Sequence, residues 1–531
     1  MVVHELRVVV QTDASLPEVE RAVGAILPAL TSAAWRVEPL FAEQLPDRAA
    51  LYLVATASDE PLGTAEYAKQ AHTLAQRLID TGRFSRVEAD VPVRPWDRPD
   101  VVGIAGDPPD PPGSDLNWAR ESIHCAQAWA LPPPPGGRTQ GEGIRVGHPD
   151  SGYSDHFALG PAALDLGSDR DVIDNDDDAL DPLVPPDRSP WPLPSPGHGT
   201  ATGSVIAGHG SAQVGVVGVA PRATLVPIRA VESVVQFFDS DVARAVDHAR
   251  QVNCHVVSMS LGGQGFFALR EAIQRAVDSG MIVMAAAGNV YPFVVEPASY
   301  DNCLAVAAVG VGDLRWPGSA SGSAVDVSAP GWAVHVAGFG WDAAPPTRFV
   351  GPSSGTSFAV AHLAGVAALW LAFHGRDKLI ERYSPFGVQP VFLHLLRTVG
   401  RRVPPDWPAG WGAGVVDAEA LLSAPLPNVV GLRAATAAGS PDDPVSRLSV
   451  LLDDADPDAV RRALEVRLHA SGPQLDRLLH RFEGELAYHV VNSDAFRDSL
   501  LIAAGALTAG PVIVPEMSPH LAAAVAGAAP T

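Results

Sequence analysis

"SSGTSFAVAHLAGVAALWLAF", residues 353–373, sets small hydroxyl residues at the mouth of a long apolar run. From Phe358 to Phe373 only His362 interrupts it. Two readings compete. In one, a buried core helix is N-capped by Ser353, Ser354 or Thr356. In the other, Ser357 is a nucleophile in the first helical turn, where unpaired N–H groups and the helix dipole can hold an oxyanion. The apolar run is shorter than the roughly 20 residues a bilayer needs, which favours a core helix over a membrane span.

The flanking sequence gives that helix a setting. Between about 144 and 330, the apolar segments "IRVGH", "ATLVPIRAV", "NCHVVSMS", "GMIVMAAAG" and "CLAVAAVG" alternate with the amphipathic segments "SDVARAVDHARQV" and "FALREAIQRAVDSG". Continuous apolar strands with helices between them predict a mostly parallel sheet covered on both faces. In such sheets active residues gather at the carboxyl ends of the strands. The fold class expected for residues 115–426 is therefore α/β, in three layers.

Residues 1–94 read as strand–helix–strand–strand–helix–strand, the order of a ferredoxin-like domain. "LRVVV" and "LYLVAT" are strands, and "SLPEVERAVGAIL" opens with a capping box of Ser15 and Glu18. Thr64 caps a second helix, with Tyr67, Ala71, Leu74 and Leu78 at helical spacing, and "FSRVEADVPV" is the last strand. Residues 95–114, rich in Pro, Gly and Asp, read as a linker. Residues 427–531 read as a helical extension. Asp456 caps a helix with Pro457 at its first position, and Leu475, Leu478, Leu479, Phe482 and Leu486 share one face.

A chain of 531 residues implies two to four domains, and 47% apolar residues suffice for large cores. A formal charge of −23 repels phosphate backbones and argues against a nucleic-acid partner. Cys125, Cys254 and Cys303 are far apart, which suggests neither a zinc site nor a disulfide framework. "MVVHELRVVV" is too short and too charged for a signal peptide. With no membrane span expected either, a cytoplasmic location follows as an expectation, non-standard export being left open.

A serine is a poor nucleophile alone. It needs a base, and the base needs an orienting carboxylate. His362 lies five residues beyond Ser357, about 140° around the helix, and faces away. His198, in "PSPGHGTATGSVIAG", follows a Pro/Gly loop and opens a helix of small residues. Asp150, in "IRVGHPDSGYSDH", ends an apolar strand, where the alternative is a turn-forming Asp. Asn289 ends "GMIVMAAAGN" and can aim an amide donor into the crevice, or simply form a turn.

"DSG" at 150–152, "HGT" at 198–200, "AAAGN" at 285–289 and "GTSFAVAH" at 355–362 come in the order found in the subtilisin-like (subtilase) serine peptidases, which this chain resembles. "NWARESIHCAQAW", "SMSLGG" (258–263), "SASGSAVDVSAPG" (319–331) and "GWGAGVVDAEALL" (410–422) resemble further family segments. The resemblance covers about 115–426. It implies a subtilisin-like domain and a serine endopeptidase that works through an acyl-enzyme. Asp150 would orient, His198 act as base and Ser357 as nucleophile. Asn289 and the Ser357 N–H would hold the oxyanion. Ser260, Leu261 and Gly262 would pair with the backbone of a protein or peptide substrate. Residues 1–94 match the family's propeptide, which would restrain the enzyme and send 87–96, "VEADVPVRPW", through the cleft. The alternatives left open are a catalytically silent peptide-binding scaffold and a peptide ligase or cyclase.

There are departures from the family pattern. Ala361 stands where proline is usual. His148 and Pro149 precede Asp150 where apolar residues are common, and Pro149 predicts an early end to that strand. Asn289 to Pro297 is short for a segment that should line the specificity pocket. The acidic run "DVIDNDDDALDP" (171–182) places Asp174, Asp176 and Asp178 at the first three spacings of an EF-hand. Ala179 and Pro185 then break that pattern. Calcium at these carboxylates is weighed against a solvated acidic loop. The chemistry itself requires no cofactor, and a regulatory partner at the tail is left open.

Overall fold

The computed structural model describes residues 4–27, 34–93, 109–189, 191, 193–210, 216–289, 291–428, 443–505 and 513–527. Residues 95–108 of the expected linker, 95–114, lie outside them.

The N-terminal part comprises β1 (His4–Thr12), α1 (Leu16–Gly24), β2 (Trp35–Pro39), β3 (Ala50–Ser58), α2 (Ala65–Asp80) and β4 (Arg86–Asp90). Its antiparallel sheet runs β2-β3-β1-β4, the ferredoxin-like order. The Ser15 N–H donates to Glu18 Oε2 at 2.8 Å, closing the capping box of α1. Thr64 Oγ1 accepts from the Tyr67 N–H at 3.2 Å and starts α2. Alternation decides what each face of the sheet does. Val8, Val10 and Val54 pack under α1 and α2, whereas Val9, Leu51 and Leu53 join the core of the next domain.

That domain is built on a nine-stranded sheet. Its strands are β5 (Arg145–Asp150), β6 (Arg170–Asp171), β7 (Thr224–Arg229), β8 (Val256–Met259), β9 (Ile282–Ala286), β10 (Leu304–Val309), β11 (Val327–Pro330), β14 (Arg401–Arg402) and β15 (Val415–Val416). The order is β14-β15-β11-β10-β9-β8-β5-β7-β6, parallel except for the β14–β15 pair. β8, β9 and β10 are buried at every residue, as a sheet covered on both faces requires. The helices that matter for the site are α3 (His198–Ala207), α4 (Asp239–Gln251), α5 (Phe267–Asp278) and α6 (Thr356–His374). α6 is long and apolar enough to cross a membrane, but it is the wholly buried axis of the domain.

The structure corrects one expectation. β5 does not stop at Pro149 but runs through to Asp150, in register with Ile228 and Arg229 of β7. β8 pairs only with Val146 and Gly147, so the donor that Pro149 lacks falls where no ladder bond to β8 is required. The antiparallel hairpin of β12 (Val334–Gly340) and β13 (Thr347–Ser353) was not foreseen. Its second strand is largely exposed and offers no apolar alternation to read.

The C-terminal part is helical: α7 (Pro444–Leu451), α8 (Pro457–Arg467), α9 (Gly472–Asn492) and two further helices, Asp494–Gly505 and Pro519–Val525. Its core takes in Val93 from the N-terminal part, and Phe293 and Val295 from the central one. α9 also lies along α2, where Arg481 donates to Gln76 Oε1 (2.8 Å) and Asp80 Oδ1 (2.6 Å).

Candidate active site

β5 delivers Asp150 to the carboxyl edge of the sheet with no solvent exposure. Its Oδ1 accepts the Ser151 N–H and the His198 Nδ1–H, each at 2.7 Å. Burial alone would raise this carboxyl's pKa. The neighbouring His198, His148 and the Ser151 amide hold it below the ordinary 3.8 instead. His198 opens α3 after Gly197, whose φ is 78°. The helix can descend onto the Asp150 turn only because position 199 is glycine, since a Cβ there would lie 2.1 Å from the Gly152 carbonyl oxygen.

Ser357 is the second residue of α6 and is 6% exposed. Its hydroxyl donates to the Ser260 carbonyl at 3.3 Å, and the Ser260 hydroxyl donates back to the Ser357 carbonyl at 3.0 Å. Among the described residues no hydrogen bond joins Ser357 to His198 or Asp150. Asn289 lies just past β9. Its Oδ1 accepts the Thr356 N–H (2.9 Å) and hydroxyl (2.7 Å), while Thr356 Oγ1 accepts the Gly288 N–H (3.2 Å). The oxygen of the amide is thus committed, and its NH2 is the group left to donate beside the mouth of α6. His362 bonds the Phe358 carbonyl through Nδ1 at 2.7 Å, and burial lowers its pKa to about 4, so it is a core histidine.

Ser260 and Leu261 are buried, and the Gly262 N–H donates to the Val234 carbonyl at 3.2 Å. Strand addition at Gly262 therefore requires that bond to open. Next to it, Gly263 and Glu296 exchange both backbone hydrogen bonds, at 2.8 and 3.1 Å. A Cβ on Gly263 would meet both Val93 methyls at 3.6 Å, and Gln236 Nε2 donates to the Val93 carbonyl at 3.1 Å. The end of the N-terminal part thus reaches the edge of this strand. Residues 94–96 of the expected cleft segment lie outside the described residues. Upstream, Asp90 accepts the N–H groups of Asp239 (2.9 Å) and Ser240 (3.3 Å) at the start of α4. Glu88 accepts the Phe267 N–H, at the start of α5, at 3.0 Å. Both carboxylates sit where helix dipoles favour negative charge.

The acidic run does not gather into a metal site. Asp174 and the buried Asp171 both pair with Arg229, the former at 2.7 Å. Asp176 accepts the Asp178 N–H, and Asp178 accepts the Leu180 N–H. Among the described residues no three His, Cys, Asp or Glu side chains are grouped to hold a metal. With Asp171 and Asp174 already paired to a guanidinium, these two carboxylates do not fit a bound calcium ion.

Three residues escaped the sequence reading. Asp181 Oδ2 accepts the Ser151 hydroxyl (2.8 Å) and the Gly197 N–H (2.7 Å), tying the Asp150 and His198 loops together. No local pattern marks it. Thr356, read as a cap, instead anchors Asn289. Thr202 donates to Asp150 Oδ2 at 3.3 Å. Its position four residues after His198 on a helix was a legible signal.

The subtilase family model matches residues 141–398. Thermitase of Thermoactinomyces vulgaris is 32% identical over 273 residues, 51% of this chain and 87% of that protein. Subtilisin E of Bacillus subtilis is 35% identical over 219 residues, 40% of this chain and 55% of that protein. Among solved structures, fervidolysin from Fervidobacterium pennivorans, described as a keratinolytic enzyme related to subtilisin, superposes with a TM-score of 0.53 at 21% identity. That superposition covers 80% of this chain and 62% of fervidolysin. At that identity the likeness concerns the fold.

Proposed function

The chain belongs to the subtilase family of serine endopeptidases, and we propose that Asp150, His198 and Ser357 hydrolyse its protein or peptide substrates, with Asn289 as an oxyanion donor. The observation that carries this is the 2.7 Å bond from His198 Nδ1–H to a fully buried carboxylate. It fixes the tautomer, so Nε2 is the basic nitrogen. Ser357 Oγ adds to the scissile carbonyl carbon and its proton passes to Nε2. The oxyanion is met by the Ser357 N–H and the Asn289 NH2. His198 then protonates the leaving amine, and water hydrolyses the acyl-enzyme by the same steps. Before attack, Ser357 exchanges its bond to Ser260 for one to His198, a tightening common on substrate binding. No cofactor is required.

The test is covalent labelling of the full chain by a fluorophosphonate, together with peptide hydrolysis. Wild type should label and hydrolyse, and Ser357→Ala should do neither. Absence of labelling in wild type, even after its mass and activity have stopped changing, would favour the silent scaffold. Products heavier than the substrate would favour the ligase.

We further propose that the N-terminal domain, residues 1–94, restrains the enzyme. Support comes from the two carboxylate caps on α4 and α5 and from Val93 at the edge of the cleft strand. The C-terminal helices, which pack on both neighbours, support an internal clasp on that restraint. Masses of wild type and Ser357→Ala followed over time test it. A cut between about 90 and 115 in wild type alone means self-processing. A wild-type chain that stays whole and is fully active from the outset would overturn restraint.

A further inference from the structure

His148 is a histidine the reaction does not call for, buried next to one that it does. Residues two apart on a strand share a face, and residues four apart on a helix do too. β5 therefore presents His148 and Asp150 together, and α3 presents Thr202 and His198 together. The two pairs meet as a square, with His198 against Asp150 at 2.7 Å and Thr202 against His148 at 3.0 Å. His148 Nε2 is 3.8 Å from Asp150 Oδ2, too far for a direct hydrogen bond, and the Thr202 hydroxyl lies between them.

Thr202 has one proton and several acceptors. Its Oγ1 is 3.3 Å from Asp150 Oδ2, 3.1 Å from the His198 carbonyl and 3.4 Å from the Gly199 carbonyl. Among the described residues, Thr202 is the hydrogen-bond donor to Asp150 Oδ2, since the Ser151 and His198 donors both serve Oδ1. Which way the hydroxyl points then depends on the imidazole. If Nε2 of His148 carries the proton, it donates to Oγ1 and leaves the hydroxyl free to turn to Oδ2. If Nε2 is bare, it takes the Thr202 proton and Oδ2 is stranded in the core. Burying an imidazole costs more than burying the apolar side chain that would fill the same space.

We propose that His148 is a positioning residue: with Nε2–H it directs the Thr202 hydroxyl onto Asp150 Oδ2, and so fixes the carboxylate that orients His198. Asp150 and His198 are the ionisable groups that face it. Burial lowers the pKa of His148 from 6.5, with Asp150 raising and His198 lowering it, which favours the neutral ring. This inference rests on the peptidase reading of Asp150, His198 and Ser357.

The experiment compares His148→Val, His148→Gln, Thr202→Val and the His148→Val/Thr202→Val double variant, as full chains, with wild type. Readouts are the fluorophosphonate labelling rate of Ser357 against pH, kcat and KM for one peptide, and melting temperature. His148→Val and Thr202→Val should each lose about tenfold in labelling rate and kcat, the loss of roughly one hydrogen bond, with KM unchanged. Each should also move the acid limb of the labelling profile. The double variant should be no slower than either single one, because both act through one hydroxyl. His148→Gln, which keeps an N–H donor, should recover most of the rate and also serves if His148→Val fails to fold. Wild-type rate and an unmoved acid limb in folded His148→Val, losses that add in the double variant, or His148→Gln as slow as His148→Val would each overturn the proposal. A wild-type chain that does not label at all would instead sink the peptidase reading.

Discussion

Arg447 of α7 grips Glu296 of the catalytic domain with both ends of its guanidinium, Nε to Oε1 at 2.8 Å and Nη2 to Oε2 at 2.7 Å. Both side chains are buried, at 7% and 1% exposure. Arg447 Nη1 also reaches Glu483 Oε1 at 3.3 Å, and Arg86 of β4 holds the other oxygen of that carboxylate at 2.8 Å. One line of charge thus crosses all three parts of the chain. Cutting a buried pair on one side strands the other charge at a cost of about 3–5 kcal/mol, while removing both costs far less. Arg447→Met should lower stability by about that amount and expose 443–527 to limited proteolysis. Arg447→Met with Glu296→Gln should recover part of the loss. A single variant with wild-type melting and protease resistance would show that this pair does not hold the helices down.

Asn289 has two ends with two jobs. Its oxygen anchors Thr356, and its NH2 is the proposed oxyanion donor. Asn289→Ala should lower kcat by about 10²–10³, as loss of one such donor does, and leave KM nearly unchanged. Asn289→Asp keeps the acceptor for Thr356 while removing the donor, so it should be at least as slow with a near-normal melting temperature. A loss below about tenfold in both would mean that the oxyanion hole is built from other groups.

Asp90 caps α4 from the N-terminal part, so its removal should loosen docking without touching the proposed catalytic residues. Loss of such a cap costs about 1 kcal/mol. Asp90→Ala should shorten any lag before peptide hydrolysis by the full chain about fivefold, with final kcat unchanged. Adding Glu88→Gln, which weakens the cap on α5, should shorten it further. An identical time course in wild type and both variants would separate these caps from restraint.

Why some of this was legible in sequence and some was not follows from what each signal depends on. β8, β9 and β10 announce themselves because a sheet covered on both faces needs unbroken apolar strands. The Ser15–Glu18 and Thr64 caps are local and could be read directly. Asp150, His198, Asn289 and Ser357 were legible as four short motifs in order. Asp181 and Arg447 were not, because the partners that give them their roles are distant in sequence, 16 positions for Asp181 with Gly197 and 151 for Arg447 with Glu296. The early strand end read at Pro149 failed for the same reason, since whether a missing N–H costs anything depends on where the neighbouring strand stops.

Arg229 pairs with Asp171 and Asp174 of the acidic loop, and Arg170 with its Asp177. Arg229 is 5% exposed, and its partner Asp171 is 2% exposed. Arg229→Met leaves Asp171 buried without its partner and should cost about 3–5 kcal/mol. Chelator should leave the wild-type melting temperature unchanged as far as this loop is concerned, and Asp176→Asn should alter neither result. A chelator-induced drop that Asp176→Asn abolishes would restore the calcium reading.

His72 offers a pH dependence at the seam between the N-terminal part and the C-terminal helices. It projects from α2 against α9, its ring 4.9 Å from Tyr488 and 5.8 Å from His489, and is 3% exposed. Burial lowers its pKa from 6.5 to about 4, with Glu485 opposing and His489 adding to the shift. Glu485 accepts the Ser518 N–H at 2.6 Å and its hydroxyl at 3.0 Å. Burial would raise the Glu485 carboxyl, but His489, His72 and Ser518 hold it below 4.5. For His72 the folded pKa lies below the unfolded one, so folding favours the neutral ring. Its contribution is complete above about pH 6.5 and is lost as pH falls towards 4, by about 3 kcal/mol in all. Glu485 acts in the same direction at lower pH, its contribution being present above 4.5 and lost beneath. Acid should therefore loosen this seam. Melting temperatures of wild type should fall between pH 6.5 and 4.5. His72→Phe, which keeps an aromatic ring against Tyr488, should fall less over that window. Parallel profiles for the two proteins would show that His72 is not the group that titrates.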